Sequence, residues 1–356
     1  MRVSNYLLTS FILMLLFFYS ASTVYGQKAT SDYKEQWSQV DALVLKGLTK
    51  SAVNAVDKIY AISKRQKNDP QIIKALLYKF KLQQNIEEDS DVKSIDSIEM
   101  EINKAKEPAR SIMESIAAQM YWNYFQQNRY KIYNRTNTQI FNKKDIATWT
   151  ADDLHDKITD LYLASTKDKD ILQKQKLESF DAIIINGNAR YLRPTLYDLL
   201  AHRALDYFKS DERDLTRPAY AFEIKDKEAF APAAEFIKHT FSTKDSASLH
   251  QKALLIFQEL LSFHLNDDKP DALIYVDLER VSFVNKHGVI ENKDELYIQA
   301  LKNISQKFNN NPASVQALFM IAQETYNKAT PASQDADSAS KYTLRQAKEL
   351  LDAIIK

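Results

Sequence analysis

The chain has 356 residues, with 48 Lys plus Arg against 47 Asp plus Glu, four glycines and no cysteine. Without cysteine there are no disulfides, thiolate nucleophiles, zinc ribbons or iron–sulfur clusters, and a balanced charge leaves no basic surplus for a nucleic-acid backbone. Gly26, Gly47, Gly187 and Gly288 stand too far apart to build a P-loop or a dinucleotide-binding turn.

The opening reads as an export signal. Arg2 gives a positive start, Leu7 to Tyr19 form an apolar core of 13 residues broken only by Thr9 and Ser10, and Val24-Tyr25-Gly26 precedes a cleavage point at Gln27. That core is short of the ~20 residues a spanning helix needs. No cysteine follows to carry a lipid. Arg2 is the one charged residue before Gln27, so cleavage leaves 47 charges of each sign. No later segment reaches a spanning length. The expected fate is export from the cytoplasm.

Beyond residue 26 the apolar residues recur at helical spacing. Tyr33–Lys46 is a first helix on Tyr33, Trp37, Val40 and Val44, ended by Gly47. Leu48–Lys64 is a second, with Ala52, Val56, Ile59 and Tyr60 on its apolar face. Asn68-Asp69-Pro70 turns the chain and caps a third helix, Gln71–Asn85. An acidic turn at Glu87–Asp91 leads to a helix over Val92–Lys106, and Pro108 opens a long one to about Arg129. Tyr130–Thr150 lacks periodicity and reads as a loop with a short turn. Helices are expected over 151–164, 168–186 (stopped by Gly187), 195–209 and 246–265. Ser210–Ala233, with Pro218, Pro232 and the alternation Tyr220/Phe222/Ile224, reads as a structured loop rather than a strand, because a lone strand has nothing to pair with. Asp271–Val284 is rich in Val and Ile, yet Ile274, Leu278, Val281 and Val284 follow a helical period. Asp294–Phe308 and Pro312–Lys328 form another helix pair, and a polar linker over Ser333–Ser340 precedes a last amphipathic helix, Lys341–Lys356. The apolar Ile354-Ile355 close to the end of the sequence suggests a chain that continues in a longer protein.

The expected fold is therefore all-α: antiparallel helical hairpins stacked in a tetratricopeptide-like superhelical array. The expected divisions are a signal over 1–26, a helical-hairpin array over 27–209, an irregular connection over 210–245 and C-terminal hairpins over 246–356.

Reactive constellations are sparse. The six histidines, His155, His202, His239, His250, His264 and His287, include no pair at i, i+4 and no His-Glu-x-x-His, so spacing offers no metal site. His202 draws attention because its polar edge can bond a carboxylate or a backbone oxygen. The acidic runs at Glu87–Asp91 and Asn266–Asp268 lack the central glycine of a calcium loop. The Gly-x-Ser-x-Gly of a nucleophile elbow is absent. No catalytic residue, cofactor site or metal site emerges, and the chain reads as non-enzymatic. Tyr121, Trp122, Tyr124 and Phe125 form an aromatic cluster that is either a stacking face for a ligand or, more in keeping with its helical spacing, core. Three short triplets, Asp96-Ser97-Ile98, Asp245-Ser246-Ala247 and Asp337-Ser338-Ala339, fit a Bacteroidetes-type O-glycosylation pattern and are consistent with export.

The segment Leu192–Phe208 is the most distinctive. Thr195 with Asp198 makes a capping box, Pro194 and Leu199 occupy staple positions, and Leu196, Leu200, Arg203, Ala204, Tyr207 and Phe208 follow at helical spacing. Its wording, carried by Arg193, Pro194, Thr195, Tyr197, Asp198, His202, Arg203, Tyr207 and Phe208, resembles the N-terminal helical region of exported bacterial alpha-2-macroglobulin family proteins of the Bacteroidetes type. Trp37 through Tyr60, with Gly47-Leu48-Thr49-Lys50-Ser51-Ala52, looks like that family's opening hairpin, and so does Asp69–Leu76 followed by Asn85–Asp89. The resemblance implies a scaffold at the front of an envelope protease trap of the endopeptidase-inhibitor class. Its partners would be proteins, including proteases engaged through downstream domains. The family's thioester chemistry needs a cysteine, which this chain lacks. The alternatives are a free-standing tetratricopeptide-like adaptor that binds a protein or peptide, and a glycan-capture protein of the cell envelope.

Overall fold

The computed structural model describes residues 33–134, 145–185, 187–213, 219–329 and 338–355, and among these it is all-helical, with no strand. Gly26 and Gln27 of the expected cleavage site lie outside the described residues, as does most of the linker expected at 333–340. Among the described residues no helix is long and apolar enough to cross a membrane.

The chain divides into two compact units, Met1–Ala109 with Ser179–Ile185, and Arg110–Glu178 with Asn186–Lys356. The divisions expected at 209 and 245 both fall inside the second unit. The first unit contains α1 (33–45), α2 (Thr49–Gln66), α3 (Asp69–Gln83) and α4 (Ser90–Ile102). Gly47 turns the chain between α1 and α2 at φ +69°, a conformation that side chains with a Cβ rarely adopt. Asn68 caps α3 by accepting the Gln71 N–H at 3.3 Å. Tyr33, Trp37 and Val40 of α1 pack against Ala52, Val56 and Ile59 of α2 and Ala75 of α3. The polar ends of the two rings are satisfied in place: Tyr33 Oη donates to Gln66 Oε1 and Trp37 Nε1 donates to Gln71 Oε1, each at 2.7 Å.

The second unit holds α5 (Ala109–Tyr133, from Arg110 on), α6 (Ala151–Ser165), the single turn α7 (Lys169–Leu172), α8 (Leu196–Phe208), the single turn α9 (Ala233–Phe236), α10 (Leu249–His264), α11 (Asp271–His287), α12 (Lys293–Lys307), α13 (Val315–Ala329) and α14 (Ser338–Ile355). Each of α10 to α14 packs on the next, and α8 lies against α6 and α10. The Val- and Ile-rich Asp271–Val284 is helical, with Ile274, Val281 and Val284 fully buried.

One expected helix is replaced. Residues 168–186 do not form a continuous helix ended at Gly187. Helix α7 stops at Leu172, and the chain then runs beside the start of α8. There the Leu196 N–H bonds to Gln175 O at 2.9 Å, and Lys176 pairs with Thr195 in an isolated antiparallel bridge. Tertiary pairing overrides the helical propensity of a Lys/Gln/Leu-rich stretch.

The irregular segment before α10 contains no strand among its described residues. It is fastened by side chains of the helices beneath it. Gln258 Nε2 donates to Phe236 O at 2.8 Å and to His239 O at 2.6 Å. Arg280 is 1% exposed and lies over the Phe236 ring at 4.4 Å. Its guanidinium donates to Ala229 O, to Ala231 O at 3.0 Å and to Asp277 Oδ1 at 2.7 Å. At the end of α11 the backbone closes on itself. A Cβ at Gly288 would stand 2.6 Å from Val284 O, so only glycine fits, and the next N–H, of Val289, bonds to Ile224 O at 2.9 Å.

Candidate functional site

The residues of the 193–208 motif occupy α8 and the turn before it, and nearly all of them are wired into neighbouring helices. Thr195 is the N-cap. It accepts the Asp198 N–H at 3.4 Å, while Asp198 Oδ2 accepts the Thr195 N–H at 2.9 Å and its hydroxyl at 2.8 Å. This leaves Asp198 Oδ1 for a second partner, His264 Nε2 of α10, at 2.7 Å. His264 Nδ1 in turn meets Asp267 Oδ2 at 2.7 Å. Asp198 and His264 are both buried. Burial disfavours a charged imidazole, but the hydrogen bonds and negative charges of Asp198 and Asp267 outweigh it. The pKa of His264 is raised above the ordinary histidine value.

One turn further along α8, His202 is fully buried, with Nδ1 2.8 Å from Asp198 O and Nε2 3.4 Å from Glu279 Oε2 of α11. The first is a hydrogen bond, and the second is a longer approach. Lys209 Nζ donates to the other Glu279 oxygen. Burial alone would raise the Glu279 pKa. His202 and Lys209 reverse this and hold it at about 2. Arg203 Nε donates to Ser115 Oγ of α5 at 2.8 Å. Arg193 donates to Tyr275 Oη of α11 at 2.6 Å and stacks on its ring. Tyr197 donates to Glu259 of α10 at 3.1 Å. Tyr207 Oη is 2.7 Å from His155 Nδ1 of α6, and burial, helped by the charge of Arg213, lowers the His155 pKa to about 4. Phe208 is fully buried against Tyr162, and Pro194 is exposed.

The aromatic cluster of α5 presents no open stacking face. Tyr121, Tyr124 and Phe125 are buried and Trp122 is half-buried. Trp122 packs edge-on to Tyr207 with ring centres 5.2 Å apart, Phe125 lies 4.7 Å from the His155 ring, and Tyr121 stacks on Trp149 at 5.7 Å. Of the two readings of this cluster, the burial of its rings fits core. The rings are the surface on which α6 and α8 seat.

A cavity of about 410 Å³ lies where α6, the chain after α8 and the start of α10 meet. Asp152 and Asp156 of α6 line it, with Arg213, Tyr220, Asp245, Ser246 and His250. Arg213 joins the two aspartates at 3.3 and 2.8 Å. Asp245 shapes the opposite wall by accepting the N–H groups of Phe222 and Ala247, each at 3.2 Å. Lys252 nearby has a lowered pKa, from burial first and the Arg213 charge second. The wall thus carries charges of both signs, with Arg213 held between Asp152 and Asp156.

Sequence spacing missed three residues that the fold gathers beside this cavity: Asp211 just past α8, His250 in the first turn of α10 and His287 at the end of α11. Their ligand atoms lie within 4.8 Å of one another. No i, i+4 motif could have found them, because each comes from a different element. Compared with known proteins, the chain matches no family model, no curated protein and no solved structure.

Proposed function

We propose that this chain is a non-enzymatic, exported helical scaffold of the alpha-2-macroglobulin type, the front segment of an envelope protease trap, built as stacked helical hairpins. The observation that supports the reading is the use made of the motif residues of 193–208. Arg193, Thr195, Tyr197, Asp198, His202, Arg203 and Tyr207 each bond within α8 or to α5, α6, α10 or α11. Such residues fix helices relative to one another, which is what a docking arm needs, and the wording that resembles the family is the wording of this framework. The partners are proteins, with proteases engaged through further domains, in the periplasm or outer envelope.

The test is the size and location of the native protein in its own cells, by immunoblot of fractionated cells with antibody against residues 33–329. A band much larger than this chain, in the envelope fraction, is the expected result. A band of the chain less its signal overturns the protease-trap reading and leaves the free-standing adaptor. A cytosolic band overturns export.

A further inference from the structure

We propose that Asp211, His250 and His287 form a site for a divalent transition-metal ion, of which zinc is the type, with one coordination position left open to solvent. Two imidazoles and a carboxylate are the ligand set that borderline-soft ions such as zinc favour over magnesium or calcium.

The three groups converge at spacings close to those of ligands around one ion. Asp211 Oδ1 stands 3.1 Å from His287 Nδ1 and 3.4 Å from His250 Nε2. Ligands held about 2.0–2.1 Å from a tetrahedral zinc stand about 3.3–3.4 Å from each other. One carboxylate oxygen facing two imidazole nitrogens at these distances outlines two edges of a tetrahedron.

The ligands are also held in place beforehand. Both imidazoles pack on Phe283, with ring centres 5.4 Å (His250) and 4.9 Å (His287) away, and lie 4.4 Å from each other. His287 is further fixed by the glycine-only turn at Gly288. Asp211 is on the open side, its side chain 55% exposed, so an ion has an entry path and an outward position for water or a partner's oxygen. Binding would tie the chain after α8 to the start of α10 and the end of α11.

The experiment uses the full chain, stripped with chelator and titrated with Zn²⁺ by calorimetry, with Co²⁺ substituted to read coordination from its visible absorption. The expected result is one equivalent of zinc, a rise in thermal midpoint on binding, and a tetrahedral cobalt spectrum. Asp211→Asn and His287→Gln should each weaken binding by at least about 10–100-fold, since even outer-shell changes have that effect. His239→Gln, at the separate His239–Asp226 pair, should leave the affinity unchanged. Asp211→Asn is an exposed change that keeps the fold, so its circular dichroism should match the parent. Absence of saturable zinc binding, or unchanged affinity in both ligand variants, or an equal loss in His239→Gln, overturns the site.

Discussion

Helix α8 and the irregular segment that precedes α10 both bury polar groups, and they satisfy them in opposite ways. In α8 the side chains supply the polar contacts: Asp198, His202 and Arg203 reach out from a regular helix to His264, Glu279 and Ser115. In the irregular segment the backbone supplies the acceptors. The carbonyls of Ala229, Ala231, Phe236 and His239 are met by Arg280 and Gln258 from helices below. A helix pairs its own backbone and is free to export side-chain bonds. A segment without regular structure pairs part of its backbone in local turns and imports the rest.

That difference sets the size of the expected effects. The largest belongs to Arg280→Met. It strands a buried Asp277 carboxylate and leaves two carbonyls without their donor, and should cost about 3–5 kcal/mol in urea unfolding. Adding Asp277→Leu should recover part of the loss by removing the stranded charge, and no recovery would show that the carbonyls dominate. Next comes Asp198→Ala, which removes a cap partner and the charge facing His264 together. A loss of about 3 kcal/mol is expected. The same variant carries a pH signature. Because the folded pKa of His264 is raised, its contribution is fully present below the ordinary histidine value of about 6.5 and is lost as pH rises through the folded value. Asp198→Ala should flatten that alkaline decline. Glu279 acts at the other end: its folded pKa is lowered to about 2, so its contribution is present above the ordinary carboxylate range and fades as pH falls toward 2. A stability profile without either slope would contradict the wiring of α8.

Gly288→Ala should come third, at about 1–3 kcal/mol, because the added Cβ meets a backbone oxygen rather than a flexible side chain. The smallest effect is Thr195→Ala, a lost N-cap of about 1 kcal/mol, read as a shift in urea midpoint with an unchanged slope.

Much of the fold could be read in the sequence wherever the signal was local. Gly47, Asn68 and the Thr195/Asp198 box announce helix ends because their chemistry acts within a few residues. The period of Asp271–Val284 outweighs its β-branched composition for the same reason. Residues 168–186 misled because helical propensity is a weak prior, and the pairing of Lys176 with Thr195 bridges a sequence gap that no periodicity reports. The site residues divide along the same line. Thr195 with Asp198 is legible, whereas His264 as their partner is not, and neither is the meeting of Asp211, His250 and His287. Arg280 left a trace: an Asp277–Arg280 pair inside an apolar helical stretch is a charge pair where water is absent.

The three-way bonding of Asp198 also limits how α8 can rotate about its own axis. Successive residues of a helix are about 100° apart, so a slip of one position would swing Asp198 Oδ1 away from His264 Nε2 and bury those two atoms without each other. Apolar packing alone tolerates such slips, since one leucine substitutes for another against a greasy neighbour. A charged contact at one azimuth does not. In α8, then, Asp198 sets orientation together with Tyr197, Arg203 and Tyr207, and a chain that still folds with all four made apolar is expected to hold this helix in more than one rotational setting.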